Sequence, residues 1–387
     1  YIGWLLHGTR GGIVAGTLFV LPGLAVIAAL SALYATFIDT DWVTAVFFGL
    51  KAAVLAIVLQ AVIKVGRRAL ASTLAVALAA SAFVGIFVLD LPFPLIVLVA
   101  GLIGWGVARV DPGLLGIASG ESAAAQEDAI ADRLAAERGA SGSGPTRAAI
   151  LIVTWGSLWA LPIVALALIF GTDSSYVALA TFMSKMAVVT FGGAYAVLAY
   201  VAQQAVETYG WLAPDEMLDG LALAETTPGP LVLVLSFVGF LATFRDAVGL
   251  SPMVGGLLGT IVAAWVTFVP CFLWIFLGAP YIERLRNNRA LSGALAAITA
   301  AVVGVILNLA LWFGLHVAFR DVATLDWGPI QMPWPDLTSV DPLAVSLAGL
   351  AAAMLLILRL GVLTTLAASG ILGLAIPFAL GTLGLAP

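Results

Sequence analysis

The chain has 387 residues, of which 62% are hydrophobic and 10% are charged, and its mean hydropathy is +1.13. Soluble domains carry about 25% charged residues, so this composition excludes a water-soluble globular protein. A single cysteine, Cys271, excludes a disulfide-stabilised scaffold, and the net charge of −5 excludes a basic surface for nucleic acid.

Apolar runs of about 20 residues predict membrane-spanning helices, because that length crosses the hydrocarbon core of a bilayer. In chain order they lie at residues 11–37, 42–63, 69–89, 91–109, 149–170, 177–205, 226–243, 252–279, 291–319, 341–359 and 361–385. We therefore predict an all-α polytopic membrane protein, with the lipid bilayer around its spans and the plasma (inner) membrane as its location.

Two polar stretches separate groups of spans. Residues 111–148 mix acidic and basic residues with serine and glycine, which is typical of a solvated linker. This linker divides the chain into a first membrane domain, residues 1–110, and a second, residues 149–387. Residues 320–341 carry Trp327 and Trp334 among prolines and are predicted to form an extramembrane loop with interfacial aromatic residues.

Basic residues indicate the orientation of the spans, because they favour the cytoplasmic side of a membrane. Two clusters occur, one of Lys64, Arg67 and Arg68 and one of Arg284, Arg286 and Arg289. We place both clusters and the 111–148 linker in the cytoplasm. Span 11–37 then runs outward and span 252–279 runs inward.

The two domains contain an internal repeat. Adding 248 to a residue number maps Pro22 on Pro270, Lys51 on Thr299 and Gln60 on Asn308. Because the matched spans run in opposite directions, the pattern is typical of an inverted-topology transporter repeat. No counterpart of residues 149–237 precedes the first copy, so we expect the first domain to be N-terminally incomplete.

Residues 185–240 contain the strongest helix-breaking signals. Thr227-Pro228-Gly229-Pro230 cannot continue a helix, and Thr227 suits an N-cap with Pro228 at the first helical position. We predict a broken or re-entrant helix here, whose free backbone N–H groups would attract an anion. Phe191-Gly192-Gly193 predicts a second break. The alternative is an ordinary loop and a close-packing contact.

Ionisable residues inside apolar runs complete the candidate site. A charge at the bilayer centre costs roughly 2.5–3.5 kcal/mol on insertion scales, so Lys51 and Lys185 are expected to face a cavity, unless they snorkel to an interface. Glu225 is the candidate coupling residue, either protonated or paired with Lys185, or else only a helix-dipole partner. The candidate substrate-binding residues are Lys185, Thr190, Phe191, Gly192, Gly193, Thr226, Thr227, Pro228, Gly229, Pro230 and Lys51.

Motifs for catalysis, metal binding and ATP hydrolysis are absent from the sequence. His7 and His316 are isolated, and neither a Walker A motif nor an HExxH motif occurs. We therefore expect no metal, no cofactor and no enzymatic activity.

The motifs together resemble those of the chromate ion transporter family. They are Lys185, Thr190-Phe191-Gly192-Gly193, Gly210-Trp211-Leu212, Leu218-Asp219-Gly220 and Thr227-Pro228-Gly229-Pro230, with Ile2-Gly3-Trp4, Leu21-Pro22-Gly23 and Gly49-Leu50-Lys51 in the first copy. The resemblance implies the long, two-domain form of the family. It also implies a secondary active transporter that exports chromate under the membrane potential, a proton gradient or both.

One residue departs from the family pattern, since Glu225 stands where glutamine is expected. Two alternatives therefore stay open: a transporter of another anion such as sulfate, and a non-transporting membrane subunit that needs a partner chain. A homodimer also stays open.

Overall fold

The computed structural model describes residues 1–115, 144–189, 193–278, 288–328 and 330–382. The helices are α1 (Ile2–Phe37), α2 (Asp41–Ala69), α3 (Thr73–Phe87), α4 (Phe93–Val110), α5 (Pro145–Phe170), α6 (Ser175–Val189), α7 (Ala194–Gln203), α8 (Pro214–Thr226), α9 (Val234–Arg245), α10 (Pro252–Gly278), α11 (Arg289–Ala318), α12 (Pro342–Ala352) and α13 (Val362–Thr382). Single 3₁₀ turns occupy Pro112–Leu115, Leu231–Leu233 and Leu337–Ser339, and π-helical turns extend α7 through Gln204–Thr208 and α12 through Ala353–Ile357.

Six of these helices, α1, α2, α4, α5, α10 and α11, are long and apolar enough to cross a membrane. The predicted all-α polytopic fold is therefore confirmed. The inverted-topology repeat and the division into domains stay predictions, and most of the predicted 111–148 linker lies outside the described residues. Shorter apolar helices, among them α3, α6 and α12, complete the bundle.

Side-chain caps fix where several helices begin. The Ser72 hydroxyl accepts from the backbone N–H of Ala75 at 3.1 Å, just before α3. The Asn288 side chain caps α11 and the Asp341 carboxylate caps α12 in the same way. Each cap satisfies N–H groups that the first turn of a helix leaves unpaired.

Two short helices, α8 and α9, are the most completely buried along their length. Along α9, residues 234–243 are all buried, and in α8 residues 217–224 are buried as well. The long helix α5, by contrast, has only Leu166 buried among its described residues. Irregular backbone is tolerated at membrane depth only inside protein, so this arrangement lets the central helices stop and restart within the bundle.

Helices of the two predicted domains are interlocked. The α3–α4 pair packs along α11, and the α12–α13 pair packs along α2. Both interfaces depend on close backbone approach: a Cβ on Gly104 would lie 2.3 Å from the carbonyl oxygen of Gly293, and one on Gly373 would lie 2.4 Å from that of Ala45. Small residues permit such contacts between membrane helices.

The predicted loop at 320–341 contains a two-stranded antiparallel hairpin, β1 (Val322–Trp327) and β2 (Ile330–Pro335). Its base is closed by a bridge between Phe319 and Val340. The strands were not predicted from the sequence, because the prolines of this stretch favoured a loop.

Candidate functional site

The helix break predicted near Pro228 is present. Helix α8 ends at Thr226, and helical structure resumes only at Leu231. Between them Gly229 has φ of +131°, a conformation that glycine adopts without strain. The prediction that Thr227 is an N-cap was wrong: its hydroxyl donates to the carbonyl oxygen of Leu223 at 2.7 Å, so it closes α8. We call residues 227–230 the first break.

Helices α8 and α9 form a hairpin with the first break at its tip. At the opposite end, Arg245 of α9 donates to the carbonyl oxygen of Trp211 at 2.7 Å and pairs with Glu216 of α8. The hydropathy pattern missed α8 because this helix carries four acidic residues.

Helices α6 and α7 form a second hairpin beside the first. The hydroxyls of Ser175 and Tyr176 donate to the carbonyl oxygens of Asp246 and Ala247, at 3.0 and 3.2 Å, which anchors the start of α6 near the end of α9. The predicted single span 177–205 is therefore two helices. Residues 190–193 separate the two helices in the chain, and we call them the second break; Gly193, which precedes α7, has φ of +123°. Thr190, Phe191 and Gly192 lie outside the described residues.

A hydrogen bond joins the two breaks. The Tyr195 hydroxyl, just after the second break, donates to Oε1 of Glu225 at 2.7 Å, just before the first break. Both side chains are half-buried. The described partner of Glu225 is thus Tyr195 rather than the predicted Lys185.

Helix α1 packs directly on the first break. A Cβ on Gly23 would lie 2.3 Å from the carbonyl oxygen of Pro228, and one on Gly229 would lie 3.6 Å from that of Phe19. The Leu21-Pro22-Gly23 motif of the predicted first domain therefore contacts the Pro228-Gly229 pair of the predicted second domain.

A basic cavity lies beside the joined breaks, with a volume of about 390 Å³. Lys64 and Arg68, four residues apart on α2, contribute its cations, while Tyr195 and Thr299 contribute hydroxyls. We call it the inner cavity, because the predicted orientation places this end of α2 in the cytoplasm. The sequence analysis used Lys64 and Arg68 only for orientation, although their spacing places them on one face of the helix.

A larger cavity of about 620 Å³ lies at the other end of α8. We call it the outer cavity, and its described ionisable lining residues are Tyr34, Asp39, Lys51, Asp215, Glu216, Asp219 and Arg245. The Lys51 ammonium lies 3.1 Å from Oδ2 of Asp215 and 3.6 Å from Oδ2 of Asp219. The predicted anion ligand Lys51 is therefore already held by two carboxylates.

Sequence reasoning missed Tyr34, Asp215 and Asp219. The signal for the two aspartates was their spacing of four residues, which puts them on one face of a helix once α8 is recognised. Tyr34 comes from α1, far away in the chain, and nothing local in the sequence marks its contact with Asp219.

Two predicted ligands lie apart from this arrangement. Lys185 is exposed near the end of α6, and within the described residues no hydrogen bond or ion pair joins it to Lys51, Glu225 or the first break. Thr226 lines an apolar cavity with Leu50 and Leu366, and its hydroxyl donates to its own helix. The binding roles of Lys185 and Thr226 stay predictions. In the described part of the chain, no group of three or more His, Cys, Asp or Glu residues is placed to hold a metal ion.

Comparison with known proteins adds to this geometry. The family model described as "Chromate transporter" matches residues 1–105 and 177–374, more than half of the chain. The chain belongs to the chromate transporter family. The predicted family and the predicted multi-pass protein of the plasma membrane are confirmed. No solved structure matches the chain with significant similarity.

Several curated relatives of the chromate transporter family are similar over most of the chain. The chromate transport protein of Pseudomonas aeruginosa is 30% identical over 310 residues, which cover 79% of this chain and 64% of that protein. The chromate transport protein of Cupriavidus metallidurans is 27% identical, covering 79% and 65%. A probable chromate transport protein of Synechococcus elongatus is 25% identical, covering 86% and 73%. The chain thus spans less than two thirds of the length of the first and second of these relatives.

Proposed function

We propose that the chain acts as a secondary active transporter that exports chromate, a tetrahedral dianion, from the cytoplasm. The observation that carries the proposal is the hydrogen bond from Tyr195 to Glu225, which joins two helix breaks inside a chain of this family. Broken helices are where secondary transporters bind substrate, because the interrupted backbone offers free N–H groups to an anion. The anion then lies between the breaks, at residues 190–193 and 227–230.

The charges of the two cavities support outward movement. The described lining of the inner cavity carries Lys64 and Arg68, whereas the outer cavity has four carboxylates against two basic side chains. Charged cavities concentrate ions of opposite sign and repel those of like sign. With the predicted orientation, a dianion is attracted from the cytoplasm, and while all four carboxylates are ionised it is repelled when it approaches from outside.

The membrane potential supplies a driving force in the same direction. Moving one elementary charge through 100 mV changes the free energy by about 2.3 kcal/mol. The free energy of a dianion therefore falls by about 4.6 kcal/mol when it leaves a cell whose interior is negative by 100 mV. Export therefore needs no ATP. A proton gradient can contribute through Glu225, whose carboxyl lies at the junction of the two breaks.

The proposal is tested by uptake of labelled chromate into inverted membrane vesicles. An imposed potential, positive inside the vesicle, should cause chromate to accumulate, and a pH gradient imposed separately measures the proton contribution. Vesicles from cells without the chain are the control. Absence of accumulation by the inserted chain would contradict the proposal, and a co-purifying partner would then favour the subunit alternative. If unlabelled sulfate inhibits the uptake of labelled chromate more strongly than unlabelled chromate does, the alternative of a sulfate transporter is favoured.

Variants in the same assay test which basic side chains take part in transport. Loss of uptake in the Lys64→Ala, Arg68→Ala double variant would place the inner cavity on the route. Lys185→Ala tests the predicted role of Lys185, and unchanged uptake in that variant would remove it from the site.

A further inference from the structure

Asp219 is the one charged residue that is buried among those the structure describes, with 1% of its surface exposed. Its Oδ2 accepts a hydrogen bond from the Tyr34 hydroxyl at 2.9 Å, and Lys51 lies 3.6 Å from the same oxygen. Its Oδ1 has no hydrogen-bond partner within the described residues. A buried carboxylate with an unpaired oxygen is costly while ionised, and a proton on Oδ1 removes that charge.

Lys51 is shared between two carboxylates of unequal exposure. Its second partner, Asp215, has a side chain that is 60% exposed, and their atoms are 3.1 Å apart. With both aspartates ionised, the cluster of Lys51, Asp215 and Asp219 has a net charge of −1. A proton on Asp219 makes the cluster neutral. Lys51 is then opposed only by Asp215, whose charge water screens.

Among the charged groups around the outer cavity, the cluster of Lys51, Asp215 and Asp219 is the one whose net charge can change most readily. Glu216 of α8 and Arg245 of α9 pair with each other, so their charges balance. Asp39, after α1, is exposed at the rim. The imidazole of His316, on α11, contacts its own helix, with Nδ1 at 2.9 Å from the carbonyl oxygen of Trp312.

From this geometry we infer that the outer cavity is a second anion site, in which a tetrahedral dianion contacts Lys51 only when Asp219 has taken up a proton. The inference rests on the proposed function and deepens it. In the linked step, Oδ1 of Asp219 forms an O–H bond with a proton from a hydronium ion in the cavity, and the hydronium is left as water. The Lys51 ammonium, which faces ionised Asp219 when no proton is bound, then turns toward the anion. It therefore has an anionic partner both before and after Asp219 is protonated.

Linkage of this kind is reciprocal: the anion increases proton binding as much as the proton increases anion binding. The affinity for a dianion should therefore fall as the pH rises, by up to about tenfold per pH unit when one proton is linked. When residue 219 cannot take up a proton, the affinity for the dianion should stay constant over the same pH range. Tyr34 is a positioning residue, because its hydroxyl donates to the ionised carboxylate and so stabilises the proton-free state.

The test measures chromate binding to the purified full chain in detergent at several pH values above neutrality, where chromate is a dianion. The wild type should bind more weakly as the pH rises, and Asp219→Asn should bind with constant affinity. Tyr34→Phe should move the pH dependence to higher pH, because the ionised carboxylate loses a donor. The matched control, Asp173→Asn, makes the same chemical change at an exposed residue before α6, outside the outer cavity, and should keep the wild-type pH dependence.

The outcomes separate this inference from the proposed function. Wild-type binding with no pH dependence, or pH dependence that persists in Asp219→Asn, overturns the linkage and leaves transport intact. Unchanged chromate affinity in Lys51→Met would show that the anion does not bind in the outer cavity. If Asp219→Asn does not fold, an unshifted pH dependence in Tyr34→Phe overturns the linkage. Wild-type protein that neither binds nor transports chromate overturns the proposed function itself.

Discussion

The hydroxyl of Tyr195 has two roles, since it donates to Glu225 and also lines the inner cavity. A hydrogen bond to a charged group contributes about 1.5–3 kcal/mol, more than a bond between neutral groups. The bond also joins two consecutive helical hairpins, α6–α7 and α8–α9, near their breaks. Tyr195 is therefore placed to hold the two breaks at a fixed separation while an anion approaches from the side of Lys64.

Tyr195→Phe tests this role by removing one oxygen atom. We expect chromate uptake into vesicles to fall roughly tenfold and the variant to lose about 1.5–3 kcal/mol of stability, because Glu225 is left without its donor. Tyr200→Phe is the matched control on the same helix, where the ring packs against Phe93. Equal uptake and equal thermal unfolding of the two variants would contradict the role of Tyr195.

At the scale of elements, the breaks persist because neighbouring helices fit closely around them. Gly23 of α1 is buried, and a Cβ there would lie 2.3 Å from the carbonyl oxygen of Pro228 and 2.4 Å from the side chain of Leu233. Real Cβ atoms do not approach backbone oxygen so closely, and the contact involves backbone that cannot turn away. The position of the first break is thus set by a residue some 200 positions earlier in the sequence.

Gly23→Ala should displace the first break. Overpacking costs about 1–3 kcal/mol, so we expect a lower unfolding temperature in detergent together with loss of chromate uptake. Gly156→Ala, on α5, is the control, since a Cβ there meets nothing within 4 Å. That change should be neutral or stabilise the helix by up to about 1 kcal/mol. A Gly23→Ala protein as stable and as active as Gly156→Ala would exclude close packing at the break.

For the whole molecule, the proposed direction of transport depends on the two cavities of opposite charge and on the side of the membrane that each one faces. Asp39 marks the rim of the outer cavity, and Arg67 lies exposed at the end of α2 next to the inner cavity. The assignment of sides comes from the basic clusters alone. Reversing it would turn the proposed exporter into an importer.

Cysteine labelling decides the orientation. The only native cysteine can be replaced through Cys271→Ser, which gives a background without thiols. In intact cells, a membrane-impermeant maleimide should label Asp39→Cys but not Arg67→Cys, which should react only after the cells are opened. The opposite labelling pattern would invert the orientation and contradict export.

The internal repeat stays a prediction, but two features support it. The offset of 248 maps Ala45 on Gly293, and a second offset of 269, which the structure suggests for the later helices, maps Gly104 on Gly373, so the two close backbone contacts between helices match as a pair. The turns between paired helices are also alike. Asp90 and Arg359 both have positive φ, 47° and 55°, and Leu91 and Leu360 both donate their N–H back across the turn at 2.9 Å.

The long helices and the first break could be predicted from the sequence, because hydropathy and proline are local signals. Helix α8 could not, since its acidic residues mimic a solvated loop while its interior residues 217–224 are buried. The partners of Lys51 and Glu225 could not be predicted from the sequence either. They depend on how α1, α2, α7 and α8 pack together, and those contacts are distant in the chain.

The interlocking of α2 with α12 and α13 has a consequence for biogenesis. Helix α2 is synthesised before α13, which begins only at Val362, almost 300 residues after α2 ends at Ala69. At about 5–20 residues per second, the ribosome needs roughly 15–60 s to reach that point. During this delay the face of α2 that contains Gly49 has no permanent neighbour, and Lys51 sits in the bilayer before α8 has delivered Asp215 and Asp219. We therefore expect α2 to reach its final packing only after the last helices arrive.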